Sequence, residues 1–142
     1  MKKKMYIAGC GGMLGDAFYN YYKSKFQLKC SDLNFKSNKW LEYLDFNDFK
    51  NYKKVVNNFK PDVLVHLGAL TDLEYCEANP KLTYLTNYTS VENATYIAND
   101  LDIPIVFIST AGIFDGGKKE YDDWDIPNPL CHYARSKYAA EL

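Results

Sequence analysis

Arginine is nearly missing from this 142-residue chain: sixteen of its 17 basic residues are lysine, and Arg135 is the exception. Forked recognition of bases or phosphates is therefore something the sequence barely offers. An excess of one charge is missing too. Lys+Arg 17 against Asp+Glu 18 leaves a formal net charge of -1, which argues against a nucleic-acid-binding protein with its basic footprint. No apolar run reaches 18 residues, so no membrane-spanning helix is expected. Lys2 to Lys4 look like the start of a secretory leader, but the apolar stretch behind them is only Met5 to Ala8, too short for one. The two histidines, His66 and His132, lie far apart, and the four cysteines (Cys10, Cys30, Cys76, Cys131) contain no Cys-x-x-Cys pair. Neither a metal centre nor a disulfide framework is expected, and a reducing cytoplasm is the setting these cysteines imply.

What is present reads as a globular α/β chain. Hydrophobic residues at 47% and charged residues at 25% are ordinary for a folded domain, and the length suits one domain with a core. Met5–Ala8 reads as a strand that stops at Gly9-Cys-Gly-Gly-Met-Leu-Gly15, and Leu14, Phe18 and Tyr21 or Tyr22 then follow at helical spacing. Phe26 to Asp32 alternates as a second strand, and Trp40 to Leu44 suits a short edge strand. Phe49, Tyr52, Val55, Val56 and Phe59 form a helical stripe with Asn47 or Asp48 as cap, ended by Pro61. Val63–Leu67 and Ile105–Ile108 are continuous apolar runs of the kind buried on both faces of a parallel sheet. A short helix is expected within Thr71–Ala78, one long helix from Pro80 to about Asp100, a loop over Gly112–Pro129, and a last helix from about Leu130. Strands alternating with helices predict a doubly wound parallel sheet of the Rossmann type.

Gly9-x-x-Gly12-x-x-Gly15 sits between a strand and a helix, where a dinucleotide's pyrophosphate would rest on the helix N-terminus. Met13 and Leu14, inside that turn, count among the cofactor-binding residues. Asp32 closes the second strand 17 residues after Gly15, placed to accept from ribose hydroxyls. A carboxylate repels a 2′-phosphate, so of NAD and NADP the balance tips to NAD, with Lys36 as the offset. Cys10 reads as a small filler of the turn.

A Tyr-x-x-x-Lys pair puts a phenol and an ammonium on one helix face, and the cation favours the charged phenol in proton exchange. Three such pairs occur, where composition alone gives between one and two. Tyr19/Lys23 and Tyr21/Lys25 lie on the helix after the glycine turn and read as core and surface. Tyr133/Lys137 open a helix 23 residues after Thr110, at the carboxyl end of a strand, where ligands of open α/β sheets gather.

Taken in order, Gly9–Gly15, Asp45, Leu67-Gly-Ala-Leu-Thr71, Glu77-x-x-Pro80, Asn87, Ser109-Thr-Ala-Gly-Ile-Phe-Asp-Gly116, Asp125-x-Pro-x-Pro129 and Tyr133-x-x-x-Lys137 resemble the extended short-chain dehydrogenase/reductase family, closest to its dTDP-4-dehydrorhamnose reductase branch. The resemblance covers essentially the whole chain. It implies a catalytic set of Thr110, Tyr133 and Lys137, with Tyr133 and Lys137 also touching the cofactor. It implies that Asp45 and Phe46 flank the adenine, that the Leu67, Gly68 and Ala69 segment lines the cofactor, and that Asn87 has a structural or relay role. The implied reaction is NAD(P)-dependent reduction of the 4-keto group of a nucleotide-linked deoxysugar, with no nucleic acid or membrane as partner and a homodimer in the full-length form. A sugar-nucleotide 4-epimerase and a non-catalytic dinucleotide-binding regulatory subunit are the alternatives. Where the branch often has Asp-Tyr after the catalytic Thr, this chain has Ala111-Gly112, which leaves the sugar open.

Family members are considerably longer. Residues 1–142 are therefore expected to be the cofactor half, with the last sheet strands and the substrate-binding part missing. The Ile105–Ile108 strand would then be a bare apolar edge, and the piece either a fragment of a longer polypeptide, inactive by itself, or poorly soluble. His66, inside an apolar strand, reads as a satisfied core histidine. Lys50, Lys53 and Lys54 read as a solvated helix face, and Asp122, Asp123 and Asp125 as solvated loop.

Overall fold

The computed structural model describes residues 2–142. Its elements are β1 Lys4–Ala8, α1 Met13–Tyr22, β2 Gln27–Asp32, β3 Leu41–Tyr43, α2 Phe49–Phe59, β4 Val63–His66, α3 Leu73–Ala78, α4 Pro80–Tyr84, α5 Ser90–Asp100, β5 Ile105–Phe107 and α6 His132–Glu141. The strands form one parallel sheet in the order β3-β2-β1-β4-β5. This is the doubly wound Rossmann order, which reverses direction between β1 and β4.

Register sorts the side chains into two cores. Tyr6 pairs with Leu64 and Ile7 with Val65. Tyr6, Ala8 and Leu64 face Tyr52 and Val56 of α2 and Ala94 and Ile97 of α5. Met5, Ile7 and Val65 face the other way, where Phe18, Tyr19 and Tyr22 of α1 pack on them. Each aliphatic side chain fully buried in these layers contributes about 1.5–3 kcal/mol. The helix α2 starts where the Asp48 carboxylate accepts from Asn51 N at 3.1 Å, and it stops at Lys60, whose backbone turns left-handed at φ 52°. Pro61 follows and cannot continue the helix. No helix among the described residues is long and apolar enough to cross a membrane.

Two elements depart from the sequence pattern. The expected helix from Pro80 to Asp100 is interrupted by a widened, π-type turn over Leu85–Thr89. Its anchor is a long-range contact that local periodicity does not carry: Asn87 at its centre is fully buried and gives its amide to the loop after β4. The strand β5 is not buried on both faces. It ends the sheet as the bare edge expected of it, and Val106 and Ile108 are 39% and 36% exposed. On that face α1 packs against Met5, Ile7, Cys30 and Val65 and leaves Val106, one strand further out, open.

Candidate active site

Parallel strands bring their carboxyl ends to one edge. The loops after β1, β2, β4 and β5 meet there and, with the first turns of α1 and α6, enclose a groove of about 490 Å³. Gly9, Gly12, Met13, Leu14, Gly15, Asp32, Phe46, Leu67, Gly68, Ala69, Tyr133 and Lys137 all line it. Two expected residues stand outside its wall. Thr110 caps the short 3-10 turn Ala111–Ile113, its hydroxyl accepting from Gly112 N at 3.1 Å. Asp45 turns its carboxylate onto Asn47 N at 2.9 Å.

The glycine turn is shaped by close approach. Gly9 holds φ +76°, and a Cβ there would lie 2.2 Å from the backbone of Gly68. A Cβ at Gly15 would lie 2.3 Å from the Cys10 carbonyl oxygen, so only glycine lets α1 start this close to β1. Gly12 is different: a Cβ there would meet nothing within 4 Å. That face is open at the N-terminus of α1, where no side chain caps the free N–H groups. A cradle of backbone donors on a helix dipole suits a pyrophosphate. Cys10 fills the turn, with its Sγ 3.4 Å from the Gly15 oxygen. Asp32 is fixed by two backbone donors, Gly11 N at 2.9 Å and Asn34 N at 2.8 Å. Both bonds fix the carboxylate at the groove's edge.

At the other end stands Lys137, only 4% exposed. Its Nζ sits 4.2 Å from the centre of the Phe107 ring. Burial pulls its pKa down to about 8, with Glu141 one turn further along α6 pulling it back up. Lys137 and Tyr133 share a face of α6, which is tied down from several sides. The Glu77 carboxylate accepts from His132 N, Cys131 Sγ accepts from Ala134 N, and Ser136 donates to the Tyr133 carbonyl at 2.7 Å. Asn87 Nδ2 donates to Ser136 Oγ at 3.1 Å and to the Leu70 carbonyl at 2.9 Å, while its Oδ1 accepts from Leu70 N. One buried amide thus joins the loop after β4 to α6.

His66 lies behind the groove and not in it. Ser90 gives its single hydroxyl proton to the Thr86 carbonyl at 2.5 Å, so it accepts from His66 Nε2–H at 3.0 Å. Nδ1 is then bare and accepts from the Tyr52 hydroxyl at 3.1 Å. Burial, reinforced by the Lys137 charge, lowers the His66 pKa to about 3, and the ring is a neutral, satisfied core residue. Of the other Tyr/Lys pairs, Tyr19 stacks on Trp40 at 3.9 Å and Tyr21 is exposed, as expected of core and surface.

Further groove residues were not singled out as cofactor contacts in the sequence. Leu33 follows Asp32, and Ile108 and Ser109 follow β5. The rule that ligands gather at strand carboxyl ends points to all three. Thr86, in the widened turn, also lines the groove, and no sequence signal marks that. Among the described residues no three His, Cys, Asp or Glu side chains group as a metal site.

The chain is similar to dTDP-4-dehydrorhamnose reductase of Salmonella typhimurium (35% identical over 98 residues, 68% of this chain and 33% of that protein). It is similar over 98% of its length to methionine adenosyltransferase 2 subunit beta of Xenopus tropicalis, at 29% identity and 42% of that protein. A solved dTDP-4-dehydrorhamnose reductase from Bacillus anthracis, in complex with NADP, superposes with a TM-score of 0.89 at 26% identity, covering 99% of this chain and 48% of that one. The chain therefore spans less than half the length of each of these relatives. A family model described as the RmlD substrate binding domain matches residues 3–142, and with the glycine turn, the Asp32 edge and the Tyr133–Lys137 face on one groove, the chain belongs to that family.

Proposed function

We propose that this protein reduces the 4-keto group of a nucleotide-linked deoxysugar with a nicotinamide dinucleotide held in the groove. The observation that carries this reading is Lys137, buried against Phe107 beside Tyr133, at one end of a groove whose other end is the glycine turn and Asp32. When bound, the dinucleotide supplies the hydride. The open face at Gly12 and the free N–H groups of α1 receive its pyrophosphate, and Asp32 receives a ribose. Asp32, a carboxylate placed at the groove's edge by two backbone donors, would repel a 2′-phosphate, and we assign a preference for NAD over NADP. Thr110 accepts from Gly112 N, which leaves its own proton free to donate to the substrate carbonyl. Tyr133 passes its proton to that oxygen, and the Lys137 charge stabilises the phenolate left behind. Tyr133→Phe is expected to abolish turnover while NADH binding survives; turnover at the wild-type rate would refute the assignment.

One observation favours a second reading. The relatives named methionine adenosyltransferase 2 subunit beta match nearly the whole chain, so a dinucleotide-binding subunit of another enzyme is the competing role. Consumption of NADH in the presence of a 4-keto sugar nucleotide separates the two: the first reading requires turnover, the second binding alone.

A further inference from the structure

The segment from Phe114 to Pro129, which leads from the Thr110 turn into α6, contains no regular helix or strand. Loops of that length are uncommon in compact domains and are usually functional or mobile. Apolar burial does not hold this one, for Trp124 and Ile126 stand in solvent at 93% and 88% exposure. Carboxylates organise it, and that of Asp115 is the one that joins its two ends. Asp115 Oδ1 accepts from Gly117 N at 2.8 Å and from the Tyr121 hydroxyl at 2.6 Å, and Oδ2 accepts from Asn128 Nδ2 at 2.9 Å. Tyr121 stacks on Phe114 with ring centres 4.4 Å apart, and Lys118 pairs with Asp125 further along the loop. These bonds hold the Asp115 pKa down to about 2, so the carboxylate is ionised across the working range of pH.

Both ends of this clasp are parts of the site. On one side, Asn128 N donates to the Ile113 carbonyl at 2.9 Å, and Ile113 belongs to the turn capped by Thr110. On the other, the Pro129 carbonyl accepts from Arg135 Nε at 3.2 Å, and Cys131 caps the first turn of α6, which carries Tyr133.

We propose that Asp115 is a positioning residue: by clasping Tyr121 and Asn128 it fixes the Thr110 turn relative to the first turn of α6 and so holds Tyr133 against the groove. This rests on the reading that Thr110 and Tyr133 act on one substrate oxygen. The bond to Asn128 has a polarity that a swap can test. In Asp115→Asn the new Nδ2 meets the Asn128 amide, which must turn over to accept it through Oδ1; adding Asn128→Asp supplies that acceptor directly, with the roles exchanged.

The experiment measures hydrogen–deuterium exchange over residues 112–131, NADH affinity, and kcat for a 4-keto sugar nucleotide in wild type, Asp115→Ala, Asp115→Asn and the swapped pair. Asp115→Ala is expected to lose at least tenfold in loop protection and about 30-fold in kcat, with NADH affinity within twofold. The swapped pair is expected to recover most of both losses, which a merely structural residue would not do. Unchanged loop protection in Asp115→Ala overturns the proposal whatever the wild type catalyses. Parallel loss of NADH affinity, or a swapped pair as poor as Asp115→Ala, overturns it too. A wild type that binds NADH without turnover contradicts the reductase reading, and the exchange data then still decide the clasp.

Discussion

Two glycines of the turn after β1 make opposite predictions because they meet different surroundings. Gly9 holds φ +76° with the Gly68 backbone 2.2 Å from where a Cβ would lie. Gly9→Ala is therefore expected to cost about 2–4 kcal/mol, combining left-handed strain with overpacking, read by denaturant unfolding. Gly12 faces open space. Gly12→Ala is expected to leave stability within about 0.5 kcal/mol of wild type while weakening NADH binding at least tenfold, because the methyl stands where the pyrophosphate would lie. Equal loss of stability in the two variants would contradict this division. Lys137 gives a pH prediction. Its pKa is about 8, so its charge is lost as pH rises through that value, and turnover should fall on an alkaline limb near pH 8. The unfolded chain keeps that proton to about 10.5, so stability should rise, not fall, between these two values. Tyr133, Lys137 and Asp32 were legible in the sequence because each has a fixed spacing from a motif. Thr86 was not, because its place depends on how a turn is wound.

At the level of elements, β4 is joined to α2 and α5 through His66, which contacts Tyr52 on one side and Ser90 on the other. The ring stays neutral in the fold down to about pH 3, whereas the unfolded chain takes up a proton near its ordinary value of 6.5. The unfolded state therefore binds more protons between these values, and stability should drop as pH falls from 6.5 towards 3, by at most about 1.4 kcal/mol per pH unit. His66→Leu should flatten that slope and also lower stability at pH 7, since the Tyr52 hydroxyl loses its acceptor inside the core. A slope that persists in His66→Leu would assign it to other groups. The strands β1 and β4 were readable as elements because they are continuous apolar runs, and the α2 stripe because its burial follows period 3.6. The break over Leu85–Thr89 was not, because Asn87 makes it with partners 17 and 49 residues away.

For the whole molecule, parallel pairing follows from alternating strands and helices, and the groove sits where the strand order reverses, between β1 and β4. The edge position of β5 was expected, yet the run itself does not carry its exposure, because Val106 is as apolar as Val65 and only its place in the sheet separates them. An apolar edge strand invites edge-to-edge pairing. Val106→Lys is expected to reduce concentration-dependent association in sedimentation velocity and to leave the circular dichroism spectrum unchanged; undiminished association would place the contact elsewhere. On the proposed function, the groove brings a nicotinamide and a sugar 4-keto group together at Tyr133. The most direct measurement is transfer of deuterium from NADH labelled at its nicotinamide C4 to a nucleotide-linked 4-keto-deoxysugar, followed by mass spectrometry of the sugar. Wild type should yield a product carrying one deuterium at C4 of the sugar, and Tyr133→Phe, with NADH bound, should yield none. NADH bound by wild type with no label reaching the sugar would contradict the account.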